Sequence, residues 1–306
     1  MRQPIIYAVW QSCRPAFLTL TLFCVLLAYA VSYWQQIEIH YVHLALVLLA
    51  ALAAHISVNT LNEYQDFQSG LDLHTERTPF SGGSGALPAC PDAAPAVFKL
   101  ALFNLTLCAA IGLYFVIILG WQLLIPGLIG LIIIISYTKY INKLPIICLL
   151  APGIGFGLLM VGGSFWALTQ QLNAASMVVA IVTALLVSNL LLVNQIPDAS
   201  VDKRFGRHHA VIAFGVKKAV IIYALFIVFV AALICWATRQ LWLPRMTLLA
   251  LLPLLAGVEC LRHLRRYVIE RANTRALDKA LGLNVVVANV TPLMLAICLL
   301  LAKPPA

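Results

Sequence analysis

The chain has 306 residues, of which 62% are hydrophobic and 10% are charged, and its formal net charge is +9. Because a soluble domain carries about 25% charged residues, this composition excludes an ordinary soluble protein and indicates a polytopic membrane protein. Little of the chain lies outside its apolar segments, so no soluble basic domain is available to bind nucleic acid.

Nine apolar segments are each long enough to cross the hydrocarbon core, which takes about 20 residues. They cover residues 14–34, 42–64, 96–117, 120–138, 146–168, 175–194, 216–237, 243–261 and 281–302. We therefore predict an all-α bundle of nine transmembrane helices, folded as a single domain over residues 1–306, with any active site inside the bundle.

The Lys and Arg residues fall into alternate loops between these segments. With the N-terminus in the cytoplasm, 17 of the 20 basic residues, Arg2 and Arg271 among them, lie on the cytoplasmic side. The positive-inside rule favours this arrangement. The charge pattern thus predicts an N-terminus inside, a C-terminus outside, and basic loops in contact with anionic membrane lipid.

Three of the predicted cytoplasmic loops are long, namely 65–95, 195–215 and 262–280, whereas the outer loops are short. Function concentrates in loops that a rigid scaffold positions. The second and sixth segments run in the same direction, and both end in Asn residues followed by acids. We therefore expect two acidic helix ends to face each other across a central cavity that opens to the cytoplasmic side.

Each acidic helix end places its carboxamides and carboxylates on one helix face. The two sets are Asn59, Asn62, Glu63 and Asp66, and Asn194, Asp198 and Asp202. Carboxylates this close repel one another, and Mg²⁺ relieves that conflict by binding carboxylate and phosphate oxygens. Acids at a membrane edge are functional by default, although Glu63 could equally be a solvated cap at the helix end.

Both stretches resemble the paired Asn/Asp-rich motifs of the UbiA superfamily of intramembrane prenyltransferases. The motifs are Asn62-Glu63-x-x-Asp66-x5-Asp72 and Asn194-x3-Asp198-x3-Asp202-Lys203-x-x-Gly206-Arg207. Within the superfamily they are most similar to those of 1,4-dihydroxy-2-naphthoate polyprenyltransferases, which make menaquinone precursors. Arg14-Pro15, the loop 77–85 and Tyr137-Thr138 add to a resemblance that covers essentially the whole chain.

Some positions depart from the family pattern. Glu63 stands where the motif usually has Asp, and His208-His209 stand where a small hydroxyl residue is common. A Tyr-x-x-x-Lys pattern of some relatives is not kept, since Lys139 and Lys143 occur at other spacings. These differences leave the chemistry of metal and diphosphate intact and bear on the identity of the acceptor.

The resemblance implies Mg²⁺-dependent transfer of a prenyl group from an allylic prenyl diphosphate to an aromatic acceptor, in the inner membrane of a bacterium. The implied metal ligands are Asn62, Asp66, Asp72, Asp198 and Asp202. The implied diphosphate-binding residues are Asn62, Arg77, Lys143, Asn194, Lys203, Arg204 and Tyr137. Catalytic roles are implied for Asp66, Asp198, Asp202, Arg14 and Lys139. For each basic residue, a role in topology alone is the alternative.

Two glycine-rich stretches have different expected roles. Gly82, Gly83 and Gly85, with Pro79, mark a flexible loop that is expected to fold over the diphosphate. The second stretch lies in the fifth segment and comprises Gly153, Gly155, Gly157, Gly162 and Gly163. Glycines in a transmembrane helix permit close helix packing, so we assign no chemistry to this second group.

Other functions remain open. The same fold could prenylate 4-hydroxybenzoate, a haem vinyl group, a chlorophyllide or a lipid glycerol ether. A cation-coupled secondary transporter is the rival from another class, since such proteins also use intramembrane acids. The acids here lie at helix ends, together with basic residues suited to phosphate, which favours the enzyme.

Overall fold

The computed structural model describes residues 4–78, 80–270 and 274–305, and within these ranges all regular structure is helical. Arg2, Pro79 and Arg271 lie outside the described residues. The main helices are α1 (Leu18–Trp34), α2 (Tyr41–Gln68), α3 (Ala94–Leu119), α4 (Leu124–Ser136), α5 (Pro145–Thr169), α6 (Ala174–Arg204), α7 (Val216–Arg239), α8 (Leu254–Ile269) and α9 (Thr274–Leu301). Each corresponds to one predicted segment.

Eight of the helical segments are 24 to 31 residues long and apolar enough to cross a membrane, so the protein is a multi-pass membrane protein. The exception is α4, which with its preceding turn spans only Trp121–Ser136. That length falls short of the roughly 20 residues that a full crossing takes. The predicted segments are therefore all present, but the fourth is too short to count as a complete span in the described part of the chain.

The first segment is broken near its start. A short helix, Ile5–Ser12, precedes α1, and Arg14 between them has φ 51° in the left-handed region. Pro15 follows directly, and proline lacks the N–H that would continue the helix. The break leaves the Arg14 side chain beside α2 rather than on the outside of the bundle.

Helix α6 is the centre of the bundle, because 72% of its most apolar window is buried and it packs against α5, α7 and α9. Two glycines of α5 make the closest approach to it. A Cβ on Gly153 would lie 2.3 Å from the Ala184 carbonyl oxygen, and one on Gly157 would lie 2.4 Å from that of Ala180. Only glycine permits this separation, which confirms the packing interpretation for these two residues.

The packing interpretation is wrong for Gly155 and Gly163, because a Cβ at either position would meet no atom within 4 Å. Helix α5 changes to a π-helix over Ile154–Gly162, immediately after Pro152 and Gly153. Proline removes one helical hydrogen bond, and π-turns are frequent at functional sites. Helix α5 therefore packs Gly153 and Gly157 against α6, while Gly155 faces open space.

Helix α4 is loosely attached, and Ile134 is the one residue that it buries. It contacts α2, α3 and the π-helical part of α5 without filling the space between them. A chamber is left between α4 and these helices.

Candidate active site

The chamber has a volume of about 560 Å³ and is lined by residues of α1 to α6. Along α2 it extends from Val47 to Asp66, which is about 28 Å at the helical rise of 1.5 Å per residue. Its two ends differ in chemistry. One end, called the acid end below, carries Asp66, Asp72, Asp198 and Asp202, whereas the opposite end is apolar.

The two acidic helix ends meet at Arg207. Its Nη2 donates to Asp66 Oδ1 on α2, and its Nη1 donates to Asp202 Oδ1 on α6 at 3.1 Å. The structure therefore brings both acidic sets to the same chamber, close enough to share one ligand. Burial alone would lower the pKa of Arg207, but the two carboxylates offset burial and hold that pKa above its usual value.

A glycine-containing loop lies over the acid end. The backbone N–H of Gly82 donates to Asp198 Oδ2 at 3.1 Å. A Cβ on Gly83 would lie 3.1 Å from Asp72 Oδ1, so the loop backbone passes directly beside that carboxylate. Gly82 and Gly83 both have positive φ, which only glycine adopts without strain. Glycine thus permits the approach of backbone to acids.

Glu63 fastens this loop to the helices. It is fully buried, and its Oε1 accepts from Arg14 Nε at 2.9 Å. The same oxygen accepts from the Ser84 backbone N–H at 2.8 Å, while its Oε2 accepts from Ser84 Oγ at 2.6 Å. The solvated-cap interpretation of Glu63 is therefore wrong: its carboxylate joins α1, α2 and the loop, and it does not line the chamber.

Of the predicted site residues, eight line the chamber: Arg14, Asn62, Asp66, Asp72, Tyr137, Asn194, Asp198 and Asp202. Five predicted cations are exposed and do not line it: Arg77, Lys139, Lys143, Lys203 and Arg204. For Lys203 the reason is helical geometry, because the residue after Asp202 points about 100° away from the chamber face. Lys139 instead lies with its Nζ 5.6 Å from the Tyr140 ring centroid.

Two residues of the site were noted in the sequence but were assigned no role there. Arg207 was part of the motif but had no role, and His209 had none either. His209 is buried and its Nε2 lies 3.1 Å from Asp202 Oδ2. The sequence feature that marks this turn is Gly206. Its φ of 80° reverses the chain, so the Arg207 N–H donates to the Asp202 carbonyl oxygen at 3.0 Å.

The donor atoms at the acid end fit a hard divalent cation. Asp72 Oδ2 and Asn194 Oδ1 are buried without a hydrogen-bond partner, and both residues line the chamber. Carboxylate and amide oxygens are the protein ligands that Mg²⁺ accepts, usually only one or two per ion beside phosphate oxygens and water. The described residues contain no group of three His, Cys, Asp or Glu that could hold an ion by itself.

Burial also governs the protonation of Asp72. The pKa of this carboxyl is raised from 3.8 to about 7, chiefly by burial and then by the charges of Asp66 and Glu63, while Arg14 and Arg207 act in the opposite direction. A carboxyl group in this situation gains from a nearby cation, which would stabilise its ionised form.

Comparison with known proteins identifies this arrangement. Residues 21–281 match the UbiA prenyltransferase family. The chain belongs to this family. Its members transfer prenyl groups, so the protein is a prenyltransferase, and the transporter alternative is set aside.

Two relatives and one solved structure are similar over most of the chain. The 1,4-dihydroxy-2-naphthoate octaprenyltransferase of Bacillus subtilis is 30% identical over 243 residues, 77% of this chain and 76% of that protein. The Haemophilus influenzae enzyme of the same name is 26% identical, with 81% and 82% covered. A UbiA homolog from Archaeoglobus fulgidus bound to DMAPP and Mg²⁺ has a TM-score of 0.60 at 15% identity, covering 96% of this chain and 99% of that one.

Proposed function

We propose that the protein transfers a polyprenyl group from an allylic prenyl diphosphate to 1,4-dihydroxy-2-naphthoate, with Mg²⁺ as cofactor, in menaquinone biosynthesis. The observation that carries this proposal is the Arg207 bridge, which puts Asp66 and Asp202 within reach of a single ligand at the end of an apolar chamber. Residues 1–306 form one domain for this reaction.

The acid end binds the diphosphate of the donor. The residues that would hold Mg²⁺ are Asn62, Asp66, Asp72, Asp198 and Asp202, all of which line the chamber. Bound Mg²⁺ supplies positive charge that stabilises the diphosphate as it leaves. Arg14 and Arg207 line the same end and add their guanidinium charges. The five exposed cations are left out of the proposed site.

The reaction exchanges one bond for another. The allylic C–O bond breaks and diphosphate departs with the bonding electrons. A ring carbon of the acceptor supplies the electron pair of the new C–C bond, and the ring then loses a proton, or its carboxyl group as carbon dioxide. Water would trap the allylic cation as an alcohol, and residues such as Val47, Phe115 and Leu123 give the chamber apolar walls against it.

The choice of acceptor rests on the relatives, since both are named for 1,4-dihydroxy-2-naphthoate. No observation on this chain favours 4-hydroxybenzoate or another acceptor. We further propose that the protein lies in the cytoplasmic membrane of a bacterium with the acid end toward the cytoplasm. The basic residues near that end, including Lys139, Lys143 and Lys203, support this orientation and contact with anionic lipid.

The test supplies the purified protein with farnesyl and longer prenyl diphosphates and a panel of aromatic acceptors, and identifies products by mass spectrometry. We expect a prenylated naphthol that forms with Mg²⁺ and not with a chelator. Asp66→Asn and Asp198→Asn should lower the rate at least about 100-fold, by analogy with the loss of other charge-stabilising groups. Asp278→Asn, the same change at an exposed acid outside the chamber, should not. Prenylation of a different acceptor alone would overturn the proposed acceptor.

A further inference from the structure

The two carboxylates that Arg207 bridges have no oxygen without a protein partner. Asp66 Oδ1 accepts from Arg207, and its Oδ2 accepts from Asn62 Nδ2 at 2.9 Å. Asp202 Oδ1 also accepts from Arg207, and its Oδ2 lies 3.1 Å from His209 Nε2. Both residues are almost fully buried, at 7% and 3% exposure, so water does not screen these contacts. The arginine thus holds atoms that the proposed metal site needs.

A guanidinium and a divalent cation on the same carboxylates repel each other. Arg207 Nη1 lies 3.1 Å from Asp202 Oδ1, where a cation bound to that carboxylate would meet the positive charge of the arginine at close range. The unpartnered oxygens, Asp72 Oδ2 and Asn194 Oδ1, belong to other residues of the chamber lining. Arg207 therefore offsets part of the negative charge of Asp66 and Asp202 in this structure.

The backbone around Arg207 allows its side chain to leave. Gly206, with φ 80°, precedes it, and the Arg207 N–H is held by the Asp202 carbonyl oxygen at 3.0 Å. The side chain is 18% exposed and lines the chamber, so its guanidinium group can rotate toward a ligand while the main chain stays in place. Guanidinium groups bind phosphate oxygens through bidentate hydrogen bonds.

We propose that Arg207 is an internal counter-cation that exchanges partners when the substrate binds, an inference that rests on the proposed function. Before the ligands bind, Arg207 pairs with both Asp66 and Asp202. When Mg²⁺ and a diphosphate arrive together, Arg207 releases both carboxylates and donates its N–H groups to the diphosphate oxygens. A metal ion that binds alone would leave the displaced guanidinium without an anionic partner. Diphosphate provides that partner, so each ligand should increase the affinity for the other.

The test measures the two ligands separately and needs no catalytic turnover. Binding of Mn²⁺ alone to the metal-free protein in detergent is followed by electron paramagnetic resonance, and binding of inorganic diphosphate is measured at saturating Mn²⁺ by calorimetry. Arg207→Gln should bind Mn²⁺ alone about tenfold more tightly than the wild type and diphosphate about tenfold more weakly, within the usual range of coupling between sites. These opposite changes are the signature of exchange, since a merely structural residue would weaken both.

Two further variants support the interpretation. Arg207→Lys keeps one charge but cannot bridge two carboxylates, so its Mn²⁺ affinity should rise by less; it also serves if Arg207→Gln fails to fold. Arg275→Gln removes the same charge at an exposed position outside the chamber and should leave both constants unchanged. Weaker or unchanged Mn²⁺ binding by the Arg207 variants would overturn the exchange. A wild-type protein that binds no diphosphate at saturating Mn²⁺ would overturn the proposed function as well.

Discussion

Arg14, in the break before α1, and Glu63 of α2 form a partly buried ion pair, with Arg14 Nε 2.9 Å from Glu63 Oε1. Arg14 occupies a left-handed backbone position in the break before α1, and Glu63 has no exposed surface. Because Ser84 donates to the same carboxylate, the pair also fixes the loop that covers Asp72 and Asp198. One carboxylate outside the chamber therefore organises a large part of the acid end.

The Glu63 contacts predict a large stability loss in Glu63→Gln. The substitution leaves the partly buried Arg14 charge without its partner, which typically costs about 3–5 kcal/mol. We expect a clear fall in the midpoint of thermal unfolding in detergent. Glu259→Gln is the matched control, since its ion pair with Arg262 is exposed and such pairs contribute little. Equal shifts in the two variants would contradict the proposed importance of the partly buried pair.

The raised pKa of Asp72 predicts how the metal-free protein responds to pH. The folded protein holds this proton up to about pH 7, whereas the unfolded chain loses it near the ordinary value of 3.8. Because the folded state binds the extra proton between these values, its stability should fall as pH rises from about 4 to 7. Saturating Mg²⁺ should reduce this fall, because a cation stabilises the ionised carboxylate.

The measurement is the unfolding midpoint as a function of pH, in chelator and in Mg²⁺, for the wild type and Asp72→Asn. The variant cannot titrate at this position, so the difference between the two proteins isolates Asp72 from other groups. Parallel curves for wild type and variant in chelator would show that Asp72 is not protonated in the folded state.

The acids of the chamber were predictable because their grouping is local. Residues four apart on a helix share a face whatever the tertiary packing, so Asp198 and Asp202 had to point the same way. We could also predict that the ends of α2 and α6 face each other, because both helices run in the same direction and end in Asn residues followed by acids. Helix positions were predictable for the same reason, since nine apolar stretches are visible in the chain itself. The short α4 deviates, and so does the eighth segment, where the α-helix runs over Leu254–Ile269 rather than 243–261.

The contacts of the cations were not predictable, because they join distant parts of the chain. Arg207 reaches Asp66 across 141 residues, and Arg14 reaches Glu63 across 49. A basic residue that serves topology and one that serves the site look alike in sequence, so Lys203 and Arg207 could not be told apart. Whether such a residue reaches the chamber depends on the direction in which its side chain points. For Arg207 that direction is set by the turn at Gly206 and by the packing of the segment that follows.

The open space beside Gly155 predicts control over donor length. Phe156, the next residue, makes an edge-to-face contact with His55 with ring centroids 4.7 Å apart, and His55 lies 11 residues before Asp66 on α2. Gly155 is therefore about 16 Å along the chamber from the acid end. Gly155→Leu should fill the chamber at this distance from the acid end and reduce turnover of long prenyl donors at least about tenfold relative to short ones. Product distributions from mixed donors, measured by mass spectrometry, check this, with Ala110→Leu on the exposed side of α3 as control. An unchanged distribution would mean that the tail lies elsewhere.

The contrast between Gly155 and Gly157 predicts opposite tolerance of alanine within one turn of α5. A Cβ on Gly157 would lie 2.4 Å from the Ala180 carbonyl oxygen and 2.5 Å from Ala184 Cβ, so α5 and α6 must separate to admit it. Overpacking of this kind typically costs about 1–3 kcal/mol. Gly155→Ala meets no atom within 4 Å and gains helix propensity. We therefore expect Gly157→Ala to lower the unfolding midpoint and Gly155→Ala to leave it unchanged or raise it slightly. If both variants lost stability alike, the separation of α5 into a packing side and a chamber side would be wrong.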